Sequence, residues 1–235
     1  ADRINAKFGV GMDASLIYMT CGAAASLSIC LKAVIEEGMG DECIVFAPFF
    51  TEYRVFIENA CGKVVVSKPM EMTFQIDVAD FEAKLSPLTK AVIVNSPNNP
   101  SGVVYSEETV RAMCNVLRRK SAEFGHPIYL IADEPYRELV YSGVDVPYLM
   151  NYYDNTMVCY SYSKSLSLPG ERIGYIAVSP LMEEAVNIYL AVCGAGRSLG
   201  YVCAPSLFQQ VIKNTIGAKV DVNIYKENRD ILYNA

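Results

Sequence analysis

The chain has 235 residues, 52% hydrophobic and 20% charged, so it can bury a core and is not disordered as a whole. A net charge of −6, an isoelectric point near 4.9 and no basic stripe interleaved with aromatics argue against nucleic acid as a partner. The eight cysteines include no C-x-x-C pair and no secretory segment precedes them, so free thiols in a cytoplasmic setting are expected; the lone histidine, His126, lacks a ligand cluster and no metal is expected.

Residues 2–8 are helix-like. Residues 14–31 carry no charge, but β-branched and aromatic residues give way there to Gly22 and an alanine-rich run. That order reads as strand (16–20), turn and helix (23–37, ended by Gly38), not as a membrane span. A strand at 42–47, a helix at 52–59 and a strand at 63–67 follow. Asp77 is a candidate N-cap for a short helix at 77–85, and 91–95 is a buried strand. Ser106 caps a long helix whose first turn holds Glu107 and Glu108, where acidic groups suit the helix dipole. Residues 128–132 are another buried strand; 156–160 and 172–178 are strands entering and leaving a loop of small residues. From Leu181 the pattern is helical, ending in a run from Val220 to Tyr233. Seven strands, most separated by helices, predict a three-layer α/β/α fold around a mostly parallel, doubly wound sheet.

The chemistry concentrates where strands end. Lys164 lies in Ser161-Tyr162-Ser163-Lys164-Ser165, with Arg172 eight residues on. An amine among hydroxyls and a guanidinium suits a Schiff-base lysine beside a phosphate; alone it would read as a solvated loop lysine. The turn Gly22-Ala23-Ala24 at a predicted helix start offers free N–H groups and small side chains to a phosphate. Gly9-Val10-Gly11-Met12-Asp13-Ala14 fits a dinucleotide fingerprint formally, but it follows no strand and is discarded. After Pro48, Phe49 or Phe50 could stack on a flat ring, and Phe50 is favoured. Asn95-Ser96-Pro97-Asn98-Asn99-Pro100-Ser101-Gly102 is a rigid turn that presents the Asn99 amide. Asp133, at the end of an apolar strand, calls for a cation, and Tyr136 stands three residues on.

In their order and spacing these motifs resemble the class I/II aminotransferases, pyridoxal-phosphate enzymes of fold type I, over nearly the whole chain. The resemblance implies that Lys164 forms the Schiff base with pyridoxal 5'-phosphate and moves a proton at the substrate. It implies that Asp133 pairs with the pyridinium nitrogen and that Tyr136 and Asn99 bond the ring's phenolic oxygen. Gly22, Ala23, Ala24, Ser161 and Arg172 would hold the phosphate, Phe50 would stack on the ring, and Ser163 stands beside the lysine as a small spacer. Amino acids and 2-oxo acids are then the expected substrates and a homodimer the expected assembly. Full family members are longer, so the chain is expected to be a large domain (1–235) cut at both ends, with 220–235 starting a connecting helix to a small domain. No arginine here matches the family's clamp on the substrate α-carboxylate: Arg229 is a helix residue, and Arg197 would at most serve a neighbouring subunit. A C–S β-lyase of the same fold is the nearest alternative; a transcription regulator with an aminotransferase-like sensor domain is a more distant one.

Overall fold

Runs of apolar residues too short for helices become strands when both of their faces are covered. That is the case for β2 (Glu42–Phe46), β4 (Thr89–Asn95), β5 (Tyr129–Asp133) and β6 (Thr156–Ser161), which are buried almost throughout. β1 (Ile17–Thr20) and β3 (Lys63–Ser67) are more exposed and form the sheet edges, and β7 is Gly174–Val178. The computed structural model describes residues 1–141, 143–218 and 221–234. It has one seven-stranded sheet in the order β1-β7-β6-β5-β4-β2-β3, in which β7 alone runs antiparallel to its neighbours.

Helices cover both faces. α2 (Ala23–Val34) packs across β5, β6 and β7 and against α7 (Ala185–Ser198). α3 (Glu52–Asn59) and α4 (Val78–Lys84, capped by Asp77) pack on β3. α5 (Glu107–Phe124) is capped by Ser106 and buries Val110, Met113, Cys114 and Leu117, the spacing of one helix face. α1 is Asp2–Phe8, α6 the single turn Tyr162–Ser165, α8 Ser206–Thr215 and α9 Asn223–Tyr233. Among the described residues no helix is long and apolar enough to cross a membrane.

Four local expectations change. α2 stops at Val34 rather than 37, because the Asp41 carboxylate accepts from the Glu36 N–H at 2.8 Å and draws the chain out of the helix. Lys164 sits on helical turn α6 rather than in a loop, since Ser161 caps that turn by accepting from the Ser163 N–H. Arg172 lies outside β7, with φ at +53°. The helical stretch after 181 is three helices, with non-helical chain at 199–205 between α7 and α8. Val220 and Ala235, which bound the expected terminal segment, lie outside the described residues.

The register places the chemistry. β1, β4, β5 and β6 all end at one side of the sheet, and β7 begins there. Thr20 and Ser161 both pair with Gly174, and Asn95 pairs with Asp133. Open α/β sheets hold their ligands at such carboxyl ends.

Candidate active site

Above those strand ends lies a cavity of about 290 Å³. Its walls include Ala23, Ala24, Phe50, Asn99, Asp133, Tyr136, Ser161, Ser163, Lys164 and Arg172. Of the residues that the family resemblance would give to the cofactor, Gly22 alone is not in that wall. It stands directly behind it: a Cβ at Gly22 would lie 3.1 Å from an Arg172 terminal nitrogen. Phe50 faces the cavity, whereas Phe49 stacks on Tyr53 with ring centroids 6.5 Å apart.

Asp133 is the most constrained group in the wall. It is 5% exposed, and its Oδ2 accepts a hydrogen bond from the Tyr53 hydroxyl at 2.5 Å. Oδ1 is buried and has no hydrogen-bond partner among the described residues. Burial pushes the carboxyl up to about 7, with the neighbouring Glu134 adding to the rise and the Tyr53 bond opposing it. A buried carboxylate with one oxygen unpaired is costly unless a cation or a donor meets it. The protonated nitrogen of a pyridine ring is both.

Asn95 ties this strand end to the next loop. Its amide donates to the Asp133 carbonyl at 2.8 Å, and its Oδ1 accepts from the Asn99 N–H at 2.6 Å. Asn99 is thereby oriented to donate from its own side-chain amide to the Tyr136 hydroxyl at 3.3 Å. Burial raises the Tyr136 phenol above its usual value, so it stands as a protonated donor at neutral pH. The Lys164 amine lies 5.8 Å from the centroid of the Tyr136 ring. Neither Tyr53 nor Asn95 is assigned a role from sequence. Tyr53 has a faint signal, three residues past Phe50 at a helix start; Asn95 has only its place at a strand end.

The other end of the cavity is a cradle for an anion. Gly22 is the N-cap of α2, and the first helical bond is Ser26 N–H to the Gly22 carbonyl, so the N–H groups of residues 23 to 25 precede the ladder. Gly22 adopts φ +88°, which favours glycine. The Thr20 and Ser26 hydroxyls meet at 2.7 Å and steady the turn from below. Gly174 lets the turn approach: a Cβ there would lie 2.3 Å from the Tyr160 carbonyl oxygen and 3.0 Å from the Gly22 Cα. Arg172 is anchored by its bond to the Pro169 carbonyl at 2.7 Å, and the Ser161 and Ser163 hydroxyls lie 2.7 Å apart. Guanidinium, hydroxyls and helix N–H groups together form a phosphate-binding set.

Two arginines stand apart. Arg197 is exposed near the end of α7, and Arg229 on α9 lies over the Tyr141 ring at 5.0 Å; neither lines the cavity. A larger cavity, about 600 Å³, adjoins across Asn99 and Tyr136. Among the described residues its walls carry no lysine, arginine, histidine or carboxylate, so the reactive groups belong to the smaller one.

The family profile described as aminotransferase class I and II matches residues 2–233. An amino transferase from Eubacterium rectale of known structure is 54% identical, with a TM-score of 0.97; the match covers 100% of this chain and 58% of that one. The aspartate aminotransferase of Thermotoga maritima is 33% identical over 80% of this chain and 48% of its own length. A probable aspartate aminotransferase of Methanocaldococcus jannaschii is 25% identical over 100% of this chain and 61% of its own length. The chain thus spans about half to three-fifths of the curated relatives it matches. With its match along nearly the whole length and its strand-end cavity, the chain belongs to the class I and II aminotransferases.

Proposed function

We propose that the protein to which this chain belongs is a pyridoxal-phosphate-dependent aminotransferase that moves an amino group from an amino acid to a 2-oxo acid. The observation that carries this reading is the unpaired, buried Oδ1 of Asp133 in the same cavity wall as the Lys164 amine and the Arg172 guanidinium. The cofactor, when bound, supplies an electron sink for charge developing at the substrate's α-carbon. Asp133 would hold the proton on its ring nitrogen. The N–H groups at the start of α2, with Gly22 giving the turn its shape, and the hydroxyl and guanidinium of Ser161 and Arg172 would fix its phosphate. Phe50 would cover one ring face, and Asn99 and Tyr136 would donate to its phenolic oxygen. Lys164 Nζ would take a proton from the α-carbon and return it, the role of a positioned general base and acid. Relatives named aspartate aminotransferase support a small amino-acid donor, and exposed Val186 and Leu190 on α7 support a homodimer.

Borohydride reduction of the protein loaded with pyridoxal phosphate, followed by peptide mass mapping, tests the reading. The label is expected on Lys164 and lost in Lys164→Ala. A label on another lysine, or none, would overturn it.

A further inference from the structure

β5 and β6 each present alternate residues to opposite faces. Asp133 and Ser161 face the cavity, so Glu134 and Tyr160 face the underside of the site. On that underside the Tyr160 side chain is buried among the Tyr162 and Tyr175 rings, both at centroid distances of 5.1 Å. Its hydroxyl lies 2.8 Å from Glu138 Oε2 and 2.8 Å from Ser165 Oγ. Glu138 follows two residues after Tyr136, and Ser165 follows Lys164 directly. One hydroxyl therefore joins the loop that follows β5 and carries Tyr136 to the helical turn that carries Lys164.

Elsewhere the turn is held by the Tyr162 N–H on the Ile173 carbonyl at 3.1 Å and by Tyr162 and Leu166 packed against Ile173, Ala204 and Ile212. α6 is four residues long, and Ser161 caps its start. A single turn has no helix stability of its own and keeps its shape through tertiary contacts. The carboxylate is a strong acceptor, so the phenol donates to Glu138 and accepts from the Ser165 hydroxyl. The charged groups around this pocket are Arg3 and Lys7 of α1, with Glu134, Arg137 and Glu138 of the loop. Glu134 and Arg137 satisfy each other through two bonds, at 2.6 and 2.5 Å, and Lys7 lies 3.6 Å from Glu138.

We propose that Tyr160 is a positioning residue of the site: through Glu138 and Ser165 it sets where the Lys164 amine stands relative to Tyr136. The proposal rests on the aminotransferase reading above. It differs from a packing role in what it predicts for Tyr160→Phe, which keeps both ring contacts and loses the hydroxyl alone.

The test uses the complete protein loaded with pyridoxal phosphate, as wild type, Tyr160→Phe, Ser165→Ala and the double variant. Each single variant should slow conversion of the bound cofactor by an amino acid about tenfold. Each should also raise the midpoint of the pH titration of the Lys164-linked cofactor's absorbance by about half a unit, a threefold change in proton affinity. The rise is expected because a loosened turn moves the linkage away from the donors that hold the deprotonated form. The double variant should match either single one, since all three break one chain of bonds. An unmoved midpoint and rate in either variant, or additive effects in the double variant, would overturn the proposal. If Tyr160→Phe does not fold, Ser165→Ala reads the same link from its other end. A wild-type protein without the label on Lys164 overturns the functional reading and this proposal together; a labelled wild type with unmoved variants overturns this proposal alone.

Discussion

At the scale of single residues, Asp133 carries the most testable physics. Its carboxyl sits at about 7 in the folded chain against an ordinary 3.8, because burial penalises the charge. A group with a raised folded value binds its proton more tightly when folded. Its contribution to stability is therefore complete below about pH 4 and is lost as the pH rises toward 7. The loss is on the order of 4 kcal/mol. Asp133→Asn cannot ionise, so in the cofactor-free protein it should gain stability relative to wild type across that window. Urea unfolding of both proteins between pH 4 and 8 checks this; parallel curves would refute it. Tyr53 belongs to the same account. Its hydroxyl bonds Oδ2 and favours the carboxylate, so Tyr53→Phe should raise the Asp133 carboxyl further. Weaker binding of pyridoxal phosphate, by about tenfold, is the expected result, read by absorbance titration at neutral pH.

Among elements, the turn before α2 depends on two glycines for different reasons. Gly22→Ala would strain a backbone at φ +88° and crowd the Arg172 guanidinium, a flexible side chain that can shift. Its main cost should fall on cofactor affinity. Gly174→Ala would press a methyl group against the Tyr160 carbonyl and the Gly22 Cα, both backbone, so fold and turn should suffer together. A loss of about 1–3 kcal/mol is expected for Gly174→Ala, measured by urea unfolding without cofactor, and a smaller one for Gly22→Ala. These elements also show what a sequence discloses. β2, β4, β5 and β6 could be read because strands covered on both faces are unbroken apolar runs. Asp133 could be read because a carboxylate ending such a run is anomalous. The early end of α2 at Val34 could not, since it is decided by the Asp41 carboxylate beyond the helix. The Lys164 turn has a signal in its Ser161 cap, two residues before Ser163, but four residues are too few to show a helical period. Tyr53 and Asn95 reach Asp133 itself through contacts 80 and 38 residues away in sequence. No local pattern records such a contact.

Considered as a whole molecule, and on the reading proposed above, the chain would hold a cofactor more fully than a substrate. Among the described residues, Lys164 and Arg172 are the cationic side chains in the cavity wall, and the adjoining larger cavity has none. On the reading above, both already serve the cofactor. An amino acid also needs a partner for its α-carboxylate, best supplied by a forked guanidinium that fixes orientation as well as affinity. Orientation of this kind can be worth several kcal/mol of barrier, so its absence should show as lost turnover more than as lost cofactor. The 235-residue chain by itself is accordingly expected to retain pyridoxal phosphate on Lys164 and to convert amino acids slowly or not at all. Mixing the loaded chain with a panel of amino acids and following the cofactor's absorbance checks this, with borohydride labelling of Lys164 as the control for loading. Rapid, saturable conversion would mean that a carboxylate partner lies within the chain. Arg197, exposed at the end of α7 and outside the cavity wall, would then be the first residue to replace, because an exposed guanidinium can reach a site completed by a second copy.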